Sequence, residues 1–229
     1  MNIWTDVREF LFPRLCAVCG KKLTVTEKGI CVSCQCRLPY TRLLNSVGNE
    51  MEKCFWGRFP IERASSLLFY TKGGMVADIL HSMKYYGQKG LCRAMGSLLA
   101  GELQPSGFFD GIDVLLPLPL SARRLRQRGY NQSELLAEGL REVTGIPLCT
   151  DAVVRTRNNV TQTHKSRYER WQNVSSLFAL REGSHLLEHK HVLLVDDVLT
   201  TGATLVSCAD VLSEIEGIRI SVVTLAWTK

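Results

Sequence analysis

The sequence predicts an α/β protein, a mostly parallel sheet with helices on both faces, with a small cysteine-rich module in front of it. Three observations carry this. From about residue 61, apolar runs of strand length alternate with helical periodicity; one such run, HVLLVDD (191–197), ends in two adjacent carboxylates; and four early cysteines have the order Cys16-x-x-Cys19 and Cys31-x-x-Cys34. The expected division is an N-terminal helix and cysteine module over residues 1–58 and an α/β domain over 59–229.

The elements follow in order. Ile3, Trp4, Val7, Phe10 and Leu11 have helical spacing, so a short amphipathic helix is expected, packed against the rest of the protein. Each Cys-x-x-Cys pair can form a tight turn presenting two sulfurs, and two such turns complete a closed tetrahedral zinc site, with Cys16, Cys19, Cys31 and Cys34 as ligands and Cys36 as an alternative to Cys34. Cys92, Cys149 and Cys208 sit in apolar patterns and read as core residues. ASSLLFYT (64–71) reads as a strand with a Gly73-Gly74 turn behind it, followed by two helices with apolar faces at Met75, Val76, Ile79, Leu80 and Met83, and at Leu91, Met95, Leu98 and Leu99. His81 flanks the first of these faces. IDVLLPLPL (112–120) is a strand ended by prolines, and the helix after it has Asn131 or Ser133 as cap. A short strand near residues 152–155, an aperiodic basic stretch over 156–175 and SLFAL (176–180) lead into a final strand, helix and strand.

With 229 residues, 45% of them hydrophobic, the chain can build one globular domain and a small appendage. No apolar run approaches the roughly 18 to 20 residues that span a bilayer. The start, MNIWTDVREFLFPRLC, carries acidic residues where a secretory signal has basic ones, so a cytoplasmic protein is expected. The net charge of +6 is uneven: residues 121–181 hold 11 Lys/Arg against 5 Asp/Glu. A cationic middle points to phosphorylated metabolites or nucleic acid.

The run HVLLVDDVLTTGATL (191–205) carries the chemistry. At the C-terminal edge of a parallel sheet, where ligands bind, a Thr/Gly loop opening a helix aims backbone N–H groups and the positive end of the helix dipole at one point, which suits a phosphate. Asp196 and Asp197 would repel that phosphate, so they must face something neutral or cationic, and the hydroxyls of a ribose fit; the expected ligand is a ribose 5-phosphate. The glycines and lysine of a Walker loop are absent, as is G-x-G-x-x-G after a strand.

VLLVDDVLTTGAT resembles the phosphoribosyl pyrophosphate motif of type I phosphoribosyltransferases. Together with the cysteine pairs and RLRQRGYNQSELLA, the chain resembles the competence protein F (ComF) family of bacterial DNA-uptake proteins over nearly its whole length. The resemblance implies a type I phosphoribosyltransferase-like fold, a role in natural transformation, and phosphoribosyl pyrophosphate with Mg²⁺ as ligand. It implies that Asp196 and Asp197 hold the ribose 2- and 3-hydroxyls and that Thr200, Thr201, Gly202, Ala203 and Thr204 hold the 5-phosphate. Ser121, Arg123 and Arg124 lie where the superfamily places its pyrophosphate loop. Arg155, Arg157, Lys165, Arg167 and Arg170, with Thr161 and Gln162, lie where it places a mobile basic loop that closes over the site. Arg123, Arg124, Lys165 and Arg167 are the candidates to stabilise charge on the leaving pyrophosphate. Many purine-salvage members have an acidic residue where Thr200 stands, which leaves an amine, a pyrimidine-like acceptor or no acceptor at all. The alternative is a non-catalytic single-stranded DNA-binding competence factor with a regulatory or vestigial ligand site, with Tyr130 and Trp171 as stacking candidates. Partners among DNA-uptake proteins and a homodimer stay open.

Overall fold

The structure, a computed structural model, describes residues 13–156 and 177–229. In chain order its helices and strands are α1 (Val32–Gln35), α2 (Glu50–Lys53), β1 (Ala64–Phe69), α3 (Met75–Tyr85), α4 (Lys89–Leu103), β2 (Val114–Pro117), α5 (Ala122–Arg128), α6 (Gln132–Thr144), β3 (Val153–Arg155), β4 (Phe178–Leu180), β5 (His191–Leu199), α7 (Ala203–Leu212) and β6 (Arg219–Trp227). The main sheet has the order β1-β6-β5-β2, every pair parallel. β3 and β4 form a separate antiparallel ribbon.

The aliphatic run of β5 follows from burial on both faces, as parallel sheets require. Alternate residues serve opposite sides: Leu193 and Val195 join a core with Met95, Leu99 and Leu136, while Val192 and Leu194 join another with Leu205, Cys208 and Leu212. On the first side α4 and α6 touch backbone to backbone. A Cβ on Gly96 would stand 2.0 Å from Leu136 O, and one on Gly139 2.1 Å from Arg93 O, so only glycine permits the approach. Arg93 and Glu138 pair across this contact at 2.5 Å.

The cysteine-rich segment is packed into the same body. Cys16, Leu23, Ile30, Cys34 and Leu38 share a core with Leu67, Ile79 and Leu91. Residues 39–41 lie along the free edge of β1, with Phe69 N donating to Pro39 O at 2.8 Å and Thr41 N to Leu67 O at 2.9 Å. That cover removes an open sheet edge.

Three elements differ from the expectation. The strand over 112–120 shortens to Val114–Pro117, because Pro117 and Pro119 have no N–H to extend a ladder. The basic residues after it form a helix, α5, whose Ser121 cap accepts from Arg124 N and which stops at left-handed Gly129, φ 76°. β5 continues past the carboxylates to Leu199, held by its register with Trp227 of β6. The amphipathic segment at residues 3–11 and the basic residues Arg157, Lys165, Arg167 and Arg170, together with Thr161, Gln162 and Trp171, lie outside the described residues. No described helix is long and apolar enough to cross a membrane.

Candidate functional site

Because β5 extends to Leu199, Asp196 and Asp197 are consecutive strand residues and leave the backbone on opposite faces. Asp197 turns toward α3. It is buried, and its Oδ2 meets Lys84 Nζ at 3.0 Å, an ion pair without the alignment of a hydrogen bond. Asp196 is partly exposed, and its Oδ1 accepts from Ser133 Oγ and from Asp197 N, both at 2.9 Å. Desolvation first, and then the neighbouring Asp197 charge, push the Asp196 carboxyl up to about 7 against the partial relief of those donors and Lys84. The two faces also show in the buried thiols: after desolvation, Cys92 is raised by Asp197 and Cys208 by Asp196.

The Tyr130-Asn131-Gln132-Ser133 run is what carries Ser133 to this point. Tyr130 OH donates to Met83 O at 2.7 Å, Asn131 Nδ2 to Leu118 O at 3.0 Å, and Asn131 Oδ1 caps α6 by accepting from Ser133 N at 3.1 Å. The start of α6 is thereby tied to the ends of α3 and β2. Tyr130 is buried and unavailable for stacking on a base, contrary to the expectation from its type.

After Leu199, Thr200 and Thr201 are exposed, and Gly202 takes a left-handed φ of 75° as the residue that opens α7. Thr201 Oγ1 accepts from Ala203 N at 3.5 Å. The loop therefore stands at the N-terminus of a ten-residue helix, with exposed hydroxyls beside orphan N–H groups. Arg155 of β3 lies near the same edge. Desolvation lowers it first, Arg124 adds to the lowering and Asp196 opposes it, so the three charges are within electrostatic reach of one another. Its guanidinium also stands 5.5 Å over the Phe178 ring. Arg123 and Arg124 are exposed in the first turn of α5.

The four cysteines expected at a metal site are brought together. The four sulfurs of Cys16, Cys19, Cys31 and Cys34 lie within 4.8 Å of one another. Cys19 Sγ and Cys31 Sγ are 3.8 Å apart, the edge of a tetrahedron with metal–sulfur bonds of about 2.3 Å. Cys31 N donates to Cys16 Sγ at 3.3 Å, and Arg37 Nη2 to Cys34 Sγ at 3.6 Å, which suits thiolates. Desolvation opposes ionisation of Cys16, but the N–H groups of Cys19, Cys31 and Val18 outweigh it and lower the thiol to about 6. Burial pushes Cys34 up to about 12. The set fits a closed structural metal ion. Cys36 is exposed, and Cys54 Sγ donates to Glu50 O at 3.6 Å instead.

Residues 125–229 match the phosphoribosyl transferase domain. The chain is 30% identical over 201 residues to DNA utilization protein YhgH of Shigella flexneri, covering 86% of this chain and 83% of that one. It is 26% identical over 200 residues to competence protein F of Haemophilus influenzae, covering 83% of this chain and 86% of the relative. The chain belongs to the competence protein F family. A further relative, competence protein ComFC of Bacillus subtilis, is 34% identical over 139 residues, covering 59% of this chain and 52% of that protein. In this ComF chain the matched domain holds α6, the ribbon, β5, α7 and β6, and hence Ser133, Arg155, Asp196 and the Thr200–Thr204 loop.

Two contributors are not read as site residues from the sequence. Lys84 reads as an ordinary basic residue at a helix C-terminus, and Ser133 as one of two capping candidates; only the packing of α3 and α6 against β5 brings them to the carboxylates.

Proposed function

We propose that this ComF chain binds phosphoribosyl pyrophosphate with Mg²⁺, as the substrate or regulatory ligand of a phosphoribosyltransferase domain working in DNA uptake. The observation that supports it best is the grouping of Asp196, Ser133, Arg124 and Arg155 near the C-terminal end of β5, the strand that runs into the Thr200–Thr204 loop. In this reading Thr200, Thr201, Gly202, Ala203 and Thr204 surround the 5-phosphate, and Asp196, the more exposed carboxylate, accepts from the ribose hydroxyls. Asp197 keeps Lys84 at the floor of the site. Arg123, Arg124 and Arg155, joined by Lys165 and Arg167, face the diphosphate, and Mg²⁺ would neutralise its oxygens. In the N-terminal segment Cys16, Cys19, Cys31 and Cys34 hold zinc in this reading. A cytoplasmic location is the one this ligand requires. The competence names of the relatives support the role in DNA uptake.

Calorimetric titration with phosphoribosyl pyrophosphate and Mg²⁺ tests the reading. Micromolar binding that disappears in Asp196→Asn/Asp197→Asn is the expected result; no binding to the folded, metal-loaded protein defeats it. A pyrophosphate-release screen then sorts acceptors. Thr200 supplies no carboxylate to deprotonate a purine, so hypoxanthine should give no increase.

A second reading, single-stranded DNA binding, is favoured by one surface. Tyr85 and Tyr86 are 58% and 66% exposed, His81 lies 4.7 and 5.2 Å from their rings, and Arg128 stands 5.5 Å over Tyr85. Exposed aromatics beside a guanidinium suit stacked bases. Mobility shift with single-stranded DNA across a salt series, repeated with Tyr85→Ser/Tyr86→Ser, decides it: the double substitution should weaken binding, and an unchanged shift removes this surface.

A further inference from the structure

Residues 49–58 reach the Thr200–Thr204 loop through one side chain. Arg58 Nη1 donates to Thr201 O at 2.6 Å, across 143 residues of chain, and to Cys54 O at 3.4 Å. It also stands 3.6 Å from where a Cβ on Gly202 would lie, with Phe55 Cε1 at 3.9 Å beneath. The segment that carries Arg58 is itself anchored. Asn49 caps α2 by accepting from Met51 N and Glu52 N and donates to Ala64 O at 2.8 Å, while Glu52 accepts from Gly48 N at 2.6 Å. Met51 and Phe55 are buried in the core that holds Leu199 and Leu205. Arg58 is therefore offered from a fixed base.

No peptide bond among the described residues is cis, so the C=O and N–H of the Thr201–Gly202 peptide point in opposite directions. A guanidinium that holds Thr201 O on one side turns Gly202 N–H to the other. That N–H has no acceptor in the protein among the described residues. Glycine's left-handed conformation at 202 lets the peptide take this orientation, and Arg58 selects it from the alternatives a Thr-Thr-Gly turn allows.

We propose that Arg58 is a positioning residue for the anion loop: it fixes the Thr201–Gly202 peptide so that Gly202 N–H faces the sugar 5-phosphate. The identity of the anion rests on the phosphoribosyl pyrophosphate reading; the orientation of the peptide does not. One consequence is that the chain on the cysteine-cluster side of β1 sets the affinity of a loop far away in sequence.

The test uses full-length, metal-loaded protein with Arg58→Ala and Arg58→Gln, so that a folding failure of one leaves the other. In the ligand-free state the Gly202 amide resonance should move, with resonances of the sulfur cluster unchanged. Affinity for phosphoribosyl pyrophosphate should fall about tenfold, as loss of one hydrogen bond to a charged group implies, and millimolar guanidinium should restore much of it in Arg58→Ala. An unmoved Gly202 amide in both variants overturns the proposal. Wild type that binds no sugar phosphate while the Gly202 amide still answers to Arg58 overturns the ligand reading alone.

Discussion

Ser133 Oγ donates to Asp196 Oδ1 at 2.9 Å, joining the first turn of α6 to the C-terminal part of β5. The hydroxyl is one of two donors that restrain the upward shift of this carboxyl. Ser133→Ala should raise the Asp196 titration further and cost about 1 kcal/mol of stability. Carbon-detected titration of Asp196 and urea unfolding measure the two effects; an unshifted titration means the hydrogen bond does not form in solution.

The raised Asp196 carboxyl makes a signed prediction about pH. Its value is about 7 in the folded protein against an ordinary 3.8, so between these limits the native state holds the proton more tightly than the unfolded chain. The contribution of this group to stability then falls as pH rises from about 4 to about 7, and the full penalty persists above that. Asp196→Asn should flatten this part of the stability profile and exceed wild type at pH 8, while losing ligand. Unfolding at pH 5, 7 and 8 checks it, and parallel profiles for the two proteins contradict it.

Removing Lys84 strands a buried carboxyl. The side chain of Asp197 is 5% exposed and that of Lys84 21%, so Lys84→Met leaves the Asp197 carboxyl with little water to replace its partner. The expected loss is about 3 kcal/mol by denaturant unfolding, and the double variant Lys84→Met/Asp197→Asn should recover most of it. Equal stability of the single and double variants would show that the pair is not coupled.

Glycines at two places in these helices should respond oppositely. Gly139→Ala drives a Cβ into Arg93 O at 2.1 Å, which only a shift of α4 against α6 relieves, so a loss of about 3 kcal/mol or more is expected. Because α6 carries Ser133, ligand affinity should fall with it. A Cβ on Gly101, also in α4, meets nothing within 4 Å, and Gly101→Ala should gain up to about 1 kcal/mol from helix propensity. Thermal unfolding of both variants separates packing from propensity.

The legible parts of this molecule are those whose pattern is local. Four aliphatic residues running into two carboxylates marked β5, and the repeated Cys-x-x-Cys spacing marked a cluster that the fold does assemble. The division of labour between Asp196 and Asp197 was not legible, because it depends on β5 continuing to Leu199, which the register with β6 imposes. α5 was missed because ARRLRQR has too few apolar residues to show a period; its Ser121 cap and Gly129 stop define it instead. Tyr130 looked like a surface aromatic, yet its hydroxyl finds Met83 O in the interior. Arg58 and Lys84 act across long stretches of chain, and nothing near them in sequence names their partners.

The strand order β1-β6-β5-β2 has a consequence for synthesis. β6, residues 219–227, is made last among these strands yet lies between β1 and β5. A nascent chain that has emerged only as far as residue 218 can pair β2 with β5, but β1 has no neighbour in the sheet and β5 shows a bare edge of hydrogen-bonding groups. Closure must wait until the ribosome has delivered residue 227, and then bridges strands more than 150 residues apart in a single step. Until that moment the growing protein carries a β2–β5 half-sheet and an unpaired β1, and keeping them from wrong partners falls to the cellular machinery that shields unfinished chains.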